Sequence, residues 1–546
     1  MEINRLPSEF TLPKERDLQD LIDCVKDWAL FNGAAMRSKK QYSPDAVEFA
    51  PFTLLPSSFP KSEFEKAVDI QIILNELIHN VAHDYEFLKS SLQNTIEVDD
   101  FTKRLFDIYE TVHKEGLAQR ISLALIRSDI MLESNCNKRN CGPYCCWKQV
   151  EINTISSGFG WLGPASRTIH SIRFKYLLDK VGDLFQSFCL GLLRSDYMVD
   201  SKKETLFIKQ VEINAIASSL AGLSTQISLQ HRFVLERLQR FADIKRLPQN
   251  NALSGLCSGL IDAWKLYNNS ESIILMIIED ISYNICDQRF HEFEIYKVNP
   301  KIKVLRRTLT EISTSGRLNL NKELFVEDKE VAVVYFRSGY SPDQYPTDKE
   351  WNVRLMMERS KAIKCPTIHY HLAGTKKVQQ ALASNNAVAK FLKEPEKIKK
   401  VSDIFTGLYS LDLDTAGDEA VQMALKNPNC FVLKPQREGG GNNIYGEEIS
   451  KVLSKLGNTK ERTAYILMNR ILPPVHLNYI VRPGNTNAIL GEDVVSELGI
   501  FGVILGEKDN VIINKQIGHV LRTKEHTANE GGVSAGIGAL DSPFLY

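Results

Sequence analysis

Two nearly identical stretches follow one another in this chain, and the repeat is the strongest constraint on its fold. The run RSDIM followed by KQVEIN is echoed by RSDYM followed by KQVEIN, so Arg127 corresponds to Arg194 and Glu151 to Glu212. Solenoids need at least three stacked units, so two copies predict a tandem duplication within one domain. We place the first copy in 116–181 and the second, with the helices that follow it, in 182–271.

The copies differ in the loop between their strands. Arg127 and Glu151 lie 24 residues apart, across the cysteine-rich run NCNKRNCGPYCCW, whereas Arg194 and Glu212 lie 18 apart. Because strand pairing tolerates few register changes while loops accept insertions, we expect the second copy to line the site and the first to lie at the surface. The run lacks two CxxC pairs, which favours free thiols over a zinc site.

Charge and hydropathy narrow the classes of function. The 546 residues include 67 Lys and Arg against 67 Asp and Glu, which gives no overall attraction to nucleic acid or to anionic membranes. The longest aliphatic run, at 273–278, is much shorter than the roughly 20 residues of a spanning helix. The N-terminus lacks the basic start and apolar core of a secretory signal. We therefore expect a cytoplasmic protein with no membrane or nucleic-acid partner.

Periodicity predicts an α+β protein. Three- and four-residue spacing of apolar side chains predicts helices in 1–115. The unbroken runs SIILMII and EVAVVYF predict buried parallel strands in an α/β module at 272–375. The β-like runs CFVLK, AYILM, NYIVR, GIFGVIL and NVIIN predict an antiparallel sheet in the part at 376–546.

The strongest local motif is LKPQREGGGNNIYGEE. A strand ending at Lys434 opens into Glu438 and the three glycines 439–441, followed by Asn442 and Asn443. Glycines lack Cβ atoms, so backbone N–H groups can approach phosphate oxygens closely, and Lys434 adds a positive charge. The flanking carboxylate, amides and Arg437 favour a phosphate and metal site over a flexible surface loop.

Each repeat also carries a pair of possible magnesium ligands. In VEIN, the glutamate and asparagine are two residues apart on a predicted strand, so they share one face. The pairs are Glu151 with Asn153 and Glu212 with Asn214. Their oxygen ligands suit Mg²⁺, and a nucleotide triphosphate needs that metal between its phosphates and carboxylates such as Glu438.

A cationic group follows two of the predicted strands. Arg337 and Tyr340 stand in YFRSGYSP, and Arg522 and Lys524 stand in HVLRTK. The planar fork of arginine binds a carboxylate at two points, which suits an anionic substrate. The chain lacks Ser-His-Asp, HExxH and paired CxxC patterns, which argues against a hydrolase triad or a zinc enzyme.

These motifs resemble those of eukaryotic glutathione synthetase, an ATP-grasp ligase. The matching stretches include RSDYM, KQVEIN, VVYFRSGY, LAGTKKVQQ, KPQREGGGNN, SELGIFGV and HVLRTK, and they reach almost from end to end. The resemblance implies an ATP-grasp fold and a homodimer that uses ATP and two Mg²⁺ to join γ-glutamylcysteine to glycine. It also implies that the cysteine carboxylate is phosphorylated before the amine of glycine attacks it.

The resemblance also assigns site residues. It implies catalytic arginines at Arg127 or Arg194 and at Arg522. Nucleotide contacts are implied at Lys376, Lys434, Glu438, Gly439, Gly440, Gly441, Asn442, Asn443, Tyr445, Met468, Glu497 and Lys524. Substrate contacts are implied at Ser156, Ser219, Asn284, Gln288, Arg337, Tyr340, Arg522, Val533 and Ser534. The implied metal ligands are Glu151 and Asn153 or Glu212 and Asn214, with Glu438.

The chain departs from the family pattern at several substrate positions. Two residues before Asn284 the family has a substrate-binding glutamate, and this chain has Ser282, whose neutral hydroxyl cannot pair with an ammonium group as a carboxylate does. The two family serines after EIN are split between the copies, and Ser534 replaces an alanine. Two alternatives therefore stay open: a ligase with a changed substrate, and a binding protein that has lost catalysis.

Overall fold

The structure is a computed structural model. It describes residues 10, 15–119, 122–124, 127–132, 147–153, 191–200, 207–214, 220–384, 386–437, 442–485, 491–529, 533 and 537–546. Within 122–214 it describes the course and pairing of the strands only. The cysteine-rich run at 135–147 lies outside these residues except for its final tryptophan, so the expectation of free thiols there stays a prediction.

Fourteen α-helices lie in the described part of the chain. Several begin at side chains that accept the first free N–H groups, such as Asp84 and Asp99, whose carboxylates accept from Phe87 and Thr102. The helices are Glu15–Phe31, Lys61–Ala82, Tyr85–Leu92, Asp100–Glu115, Ala221–Arg237, Ala252–Tyr267, Ile285–Val298, Leu309–Ser315, Asp348–Glu358, Ile368–Ala373, Lys376–Leu382, Pro395–Ile404, Thr415–Lys426 and Glu447–Leu456. The 3₁₀ helices are Thr95–Glu97, Phe241–Arg246, Pro342–Gln344, Val388–Lys390, Pro428–Cys430 and Lys460–Ala464. The predicted helical character of the N-terminal part is confirmed.

A mostly parallel sheet forms the predicted α/β module. Ile273–Ile277 is its buried central strand and pairs in parallel with Val304–Arg307 and Lys329–Phe336, and Ile363–Cys365 extends the parallel set. Two short antiparallel strands, at 316–318 and 324–326, complete it. The unbroken Ile and Val runs become strands covered on both faces, as predicted. The carboxyl ends of the two long strands therefore lie side by side.

The C-terminal strands divide between two sheets, whereas the sequence predicted one antiparallel sheet. A four-stranded antiparallel sheet contains Leu408–Ser410, Tyr465–Asn469, Phe431–Pro435 and Ile444–Tyr445. A larger sheet is built on the long hairpin, which we define as Glu492–Glu507 and Asn510–Glu525. Its other strands are Phe52–Thr53, Ser122–Ala124, Arg127–Leu132, Trp147–Asn153, Gly191–Asp200, Phe207–Asn214, His476–Asn478, Ile480–Val481 and Ala539–Asp541. Two small sheets pair Ala35–Met36 with Glu48–Phe49 and Ser57–Phe59 with Pro543–Leu545.

The two repeat copies form hairpins with the same register. In the first, Arg127 lies opposite Asn153 and Asp129 opposite Glu151; in the second, Arg194 lies opposite Asn214 and Asp196 opposite Glu212. Each ladder shifts register directly after the matching aspartate. The longer loop of the first copy therefore leaves the pairing of its strands unchanged.

One continuous core joins the N-terminal helices to the C-terminal sheet. Buried apolar side chains run without a break from Leu21 through the parallel sheet to Leu540. The strand Phe52–Thr53 lies between Ile480–Val481 and Ala539–Asp541, so residues far apart in sequence share one sheet. None of the helices in the described ranges combines the length and apolar character that crossing a bilayer requires.

Candidate functional site

A buried ion pair stands at the carboxyl end of the parallel sheet. Arg337 directly follows the strand Lys329–Phe336, and its Nη2 donates to Asp287 Oδ2 at 2.8 Å. Both side chains are almost wholly buried, and the second carboxylate oxygen accepts from the N–H of Gly222 at 3.1 Å. Nε and Nη1 of Arg337 are buried as well, and the guanidinium lies over the ring of Tyr335. The predicted substrate arginine is thus held in place at the carboxyl end of the sheet.

A second arginine lies beside the helix that carries Asn284 and Gln288. Gln288 Oε1 accepts from Ser282 Oγ at 3.2 Å and from Arg306 Nη2 at 2.5 Å, while its Nε2 donates to Asn284 Oδ1 at 3.0 Å. Burial, together with Arg289, lowers the pKa of Arg306 to about 10. The structure therefore brings the predicted Asn284 and Gln288 together and adds Arg306, which the sequence analysis missed.

The sequence analysis also missed Glu279, which contacts the predicted substrate residue Tyr340. Tyr340 Oη donates to Glu279 Oε1 at 2.9 Å, and Gln344 Nε2 donates to the same oxygen at 3.0 Å. Glu279 follows the central strand of the parallel sheet by two residues. Arg337 likewise comes directly after the neighbouring strand. A charged residue just beyond a predicted parallel strand was therefore the sequence signal that could have identified Glu279.

The four-stranded sheet positions three predicted nucleotide contacts. Lys434 and Met468 lie on neighbouring strands and are buried, and Tyr445 lies opposite Val432 on the edge strand. Asn443 Nδ2 lies 3.5 Å from Tyr445 Oη. The sheet therefore brings together a lysine from the strand before the glycine-rich loop and an aromatic ring and an amide from the segment after it.

Two cations close to that loop are already engaged in the structure. Lys376 is buried at the start of the helix Lys376–Leu382, and its Nζ donates to the carbonyl of Arg437 at 2.8 Å. Arg437 forms an ion pair with Asp99. The sequence analysis counted Arg437 among the groups that flank the glycine-rich loop, and the structure pairs it with the N-cap residue of Asp100–Glu115. Its contact with phosphate stays a prediction.

The long hairpin pairs a predicted nucleotide contact with a predicted catalytic arginine. Glu497 and Arg522 lie directly opposite one another, and Arg522 Nη2 donates to Glu497 Oε1 at 2.8 Å. Both side chains are only 12–13% exposed. Lys524, two residues further on, donates to the carbonyl of Asn529 at 2.7 Å. The pair fixes the direction of Arg522 before any ligand binds.

The register of the large sheet links the long hairpin to the first repeat. Gly499 lies opposite Asp129, and Phe501 lies opposite Arg127. Residues directly opposite one another share a sheet face, and positions two apart along a strand share it too. Positions 127, 129, 151 and 153 therefore fall on the same face as positions 497 and 522.

Both repeat copies lie against the same region of the large sheet. The first-copy strand Arg127–Leu132 pairs with Glu492–Glu507 and, at two positions, with the second-copy strand Phe207–Asn214. Gly191–Asp200 also runs close to Glu492–Glu507. The ladder of the first copy is as regular as that of the second. The surface position of the first copy, and the choice of copy that supplies the metal ligands, stay predictions.

Two of the remaining predicted residues lie in the described part of the chain. Val533 is buried, and Asn442 follows directly on the end of the loop. Outside the described residues lie Ser156, Ser219, Glu438, Gly439, Gly440, Gly441 and Ser534. Among the described residues no group of three His, Cys, Asp or Glu side chains is placed to hold a metal ion.

Comparison with known proteins covers nearly the whole chain. The family described as eukaryotic glutathione synthase, ATP binding domain, matches residues 15–183 and 176–545. The glutathione synthetase of Xenopus laevis is 39% identical over 97% of each chain, and that of Homo sapiens is 38% identical over 98% of each. Among solved structures, a glutathione synthetase like-effector from Globodera pallida, in its apo form, matches with a TM-score of 0.68 at 22% identity over 98% of each chain. The two matched ranges meet where the first repeat copy ends and the second begins.

Proposed function

The chain belongs to the eukaryotic glutathione synthetase family, and from that premise we infer that it is an ATP-dependent ligase that joins γ-glutamylcysteine to glycine to make glutathione. The observation that carries this inference is the match at 38–39% identity along almost the entire length of each protein. The matched length includes the segments that carry the predicted substrate contacts and those that carry the predicted nucleotide contacts.

The chemistry requires positioning and charge neutralisation more than a protein nucleophile. A carboxylate oxygen of the cysteine residue attacks the γ-phosphorus of ATP, giving an acyl phosphate and ADP. The amine of glycine then attacks the acyl carbon, and phosphate leaves as the peptide bond forms. Nucleophile and electrophile are both substrates, so the protein supplies binding groups on each side of them.

The described cations are distributed to suit these steps. Lys434 is buried on the strand that precedes the glycine-rich loop, and Lys376 donates to the carbonyl of Arg437, so the two lysines can lower the cost of bringing triphosphate against a carboxylate. Arg337, held by Asp287, places a positive charge at the carboxyl end of the parallel sheet for an anionic group of the dipeptide. Arg522, held by Glu497, is oriented toward the face shared with the repeats and stabilises charge that develops on the acyl phosphate.

The donor set also fits magnesium. Glutamate and asparagine oxygens are hard ligands, and positions 151 and 153 fall on the sheet face that carries Glu497 and Arg522. We propose that Mg²⁺ is held by Glu151 and Asn153 or by Glu212 and Asn214, together with Glu438. When bound, the metal neutralises phosphate charge and orients the triphosphate.

We further propose an ATP-grasp fold, a homodimer and a cytoplasmic site of action. The presence of a four-stranded antiparallel sheet beside a separate large sheet supports a fold that grips nucleotide between two β-rich parts. The mixture of helix and sheet and the neighbour at a TM-score of 0.68 agree with it. Equilibrium sedimentation of the full chain tests the dimer, since a monomer mass at micromolar concentration contradicts it.

The activity is tested by incubating the full chain with MgATP, γ-glutamylcysteine and glycine. We expect one phosphate and one tripeptide for each ATP consumed, measured by a phosphate assay and mass spectrometry. Other thiol dipeptides and amines form the comparison set, because Ser282 raises the alternative of a changed substrate. Nucleotide binding without phosphate release for any pair would instead support a binding protein that has lost catalysis.

A further inference from the structure

Glu279 is placed where the carboxyl ends of the two long parallel strands meet. Ile273–Ile277 ends two residues before it, and the neighbouring strand ends one residue before Arg337. The two strands are in parallel register, with Ile277 opposite Phe336. Glu279 and Arg337 thus leave adjacent strands on the same edge of the sheet, and the positive charge of Arg337 acts on the carboxyl group of Glu279.

The carboxylate of Glu279 is fixed by neutral donors and lacks an ion-pair partner within the described part of the chain. Its Oε1 accepts from Tyr340 Oη and from Gln344 Nε2. Gln344 is itself fixed, because its Oε1 accepts from the N–H groups of Gly339 and Tyr340 at 2.6 and 2.9 Å. Burial raises the pKa of Glu279, opposed by the hydrogen bond from Tyr340 and the charge of Arg337. A cation that bound here would recover part of that cost.

Arg337 provides the complementary half of the arrangement. Its Nη2 donates to Asp287, which fixes the guanidinium one residue beyond its strand. An α-amino acid head group carries an ammonium and a carboxylate on one carbon atom. A fixed carboxylate at one strand end and an arginine at the neighbouring strand end match both charges of such a group.

We propose that Glu279 is a specificity-determining residue that pairs with the α-ammonium of the γ-glutamyl group of the acyl substrate. This inference rests on the proposed ligase function. Ser282, the position that the family resemblance assigned to this role, donates its hydroxyl to Gln288 and carries no charge. The chain therefore supplies the carboxylate three residues earlier, from the side of Tyr340.

The test compares two substrates and two variants of the full-length protein. The substrates are γ-glutamylcysteine and N-glutarylcysteine, which is identical except that hydrogen replaces the α-ammonium. Glu279→Gln removes the charge while keeping a carbonyl oxygen for Tyr340 and Gln344. Asp280→Asn is the matched control, because it removes the same charge from the next residue, which is exposed. The readout is kcat/KM for each acyl substrate, with KM for ATP measured alongside.

The unmodified protein should favour γ-glutamylcysteine over N-glutarylcysteine by roughly 100-fold, since loss of one partner leaves a buried charge unpaired. In Glu279→Gln the preference should fall to less than about fivefold, because KM for γ-glutamylcysteine rises. KM for ATP should not change. Asp280→Asn should keep the original ratio.

Three results would overturn the inference: equal use of both substrates by the unmodified protein, an unchanged ratio in Glu279→Gln, or an equal loss in Asp280→Asn. The comparison of the two substrates needs only the unmodified protein, so it can disprove the inference even if Glu279→Gln does not fold. If the unmodified protein ligates neither substrate, the proposed ligase function is wrong. If it ligates both equally well, only the role of Glu279 is wrong.

Discussion

The two ends of the site differ in how many times each functional group is present. At the substrate end, Arg337, Asp287 and Glu279 each occur once, and the ion pair between the first two is buried. At the metal end, the glutamate and asparagine of VEIN occur twice, in hairpins of identical register. Substitution of any one of these residues should therefore be decisive at the substrate end, whereas at the metal end the effect of a substitution in VEIN should depend on which copy is changed.

The two ends also differ in where the structure places the predicted groups. At the nucleotide end, Lys434, Met468 and Tyr445 lie on strands of the four-stranded sheet. At the substrate end, Ser282 is neutral, and a carboxylate stands three residues earlier at Glu279. The duplicated hairpins enlarge the chain without altering the register of the strands that flank the site.

The largest effect is expected at Glu438, the proposed metal ligand that lies outside the repeats. Glu438→Gln removes one charge from a loop, so we expect turnover to fall by at least about 10³-fold with the fold intact. Initial rates at limiting Mg²⁺ and thermal unfolding curves measure the two quantities. Parental rates in limiting magnesium would show that the assigned metal role is wrong.

The next effect separates the two copies. We expect Glu212→Ala to abolish metal-dependent ATP turnover and Glu151→Ala to leave it nearly unchanged, because only one copy can supply ligands to a single metal site. Phosphate release across a magnesium titration is the measurement, with each variant as the control for the other. The reverse pattern would transfer the role to the first copy, and loss in both variants would mean that the copies act together.

A smaller effect is expected on stability at the substrate end. Asp287→Ala leaves Arg337 buried without its partner, which typically costs about 3–5 kcal/mol of the free energy of unfolding. Asp107→Ala is the control, because that carboxylate forms an exposed pair with Lys103 and its loss should barely move the urea midpoint. Similar shifts of the urea midpoint in the two variants would contradict the expectation that the buried ion pair contributes more to stability than the exposed one.

The smallest effect is a pH dependence of stability. Burial, with the charge of Arg337, lowers the pKa of His291 to about 3, and burial lowers that of His231 to about 4. A histidine with a depressed folded pKa is neutral in the fold and takes up a proton on unfolding, so its stabilisation is present above about pH 6.5 and is lost as the pH falls below it. Urea unfolding at pH 7.5, 6 and 5 should show this decline. His291→Gln should make the decline shallower, and an unchanged slope would count against this cause.

Much of the fold followed from the sequence. Unbroken Ile and Val runs identified the parallel strands, since those strands are buried on both faces, and helical spacing identified the N-terminal helices. The division of the C-terminal strands into two sheets did not follow, because the pairing of Phe52–Thr53 with Ile480–Val481 joins segments more than 400 residues apart. Such pairings leave no local pattern.

Residue type and spacing selected Lys434, Arg337 and Arg522 as site residues, and the structure places each at a strand end or on a paired strand. The ion pair of Arg437 with Asp99 could not be predicted, because the two residues lie 338 positions apart, beyond any motif. Glu279 and Arg306 were missed because their roles depend on side chains that only folding brings beside them.

The most direct test of the proposed ligase follows one oxygen atom. γ-Glutamylcysteine labelled with ¹⁸O in the cysteine carboxylate is incubated with the full chain, MgATP and glycine, and the phosphate released is analysed by mass spectrometry. Attack of that carboxylate on the γ-phosphorus predicts one ¹⁸O atom in each phosphate formed, alongside one glutathione. Tripeptide formation with unlabelled phosphate, or phosphate release without tripeptide, would contradict the acyl phosphate route and with it the central claim.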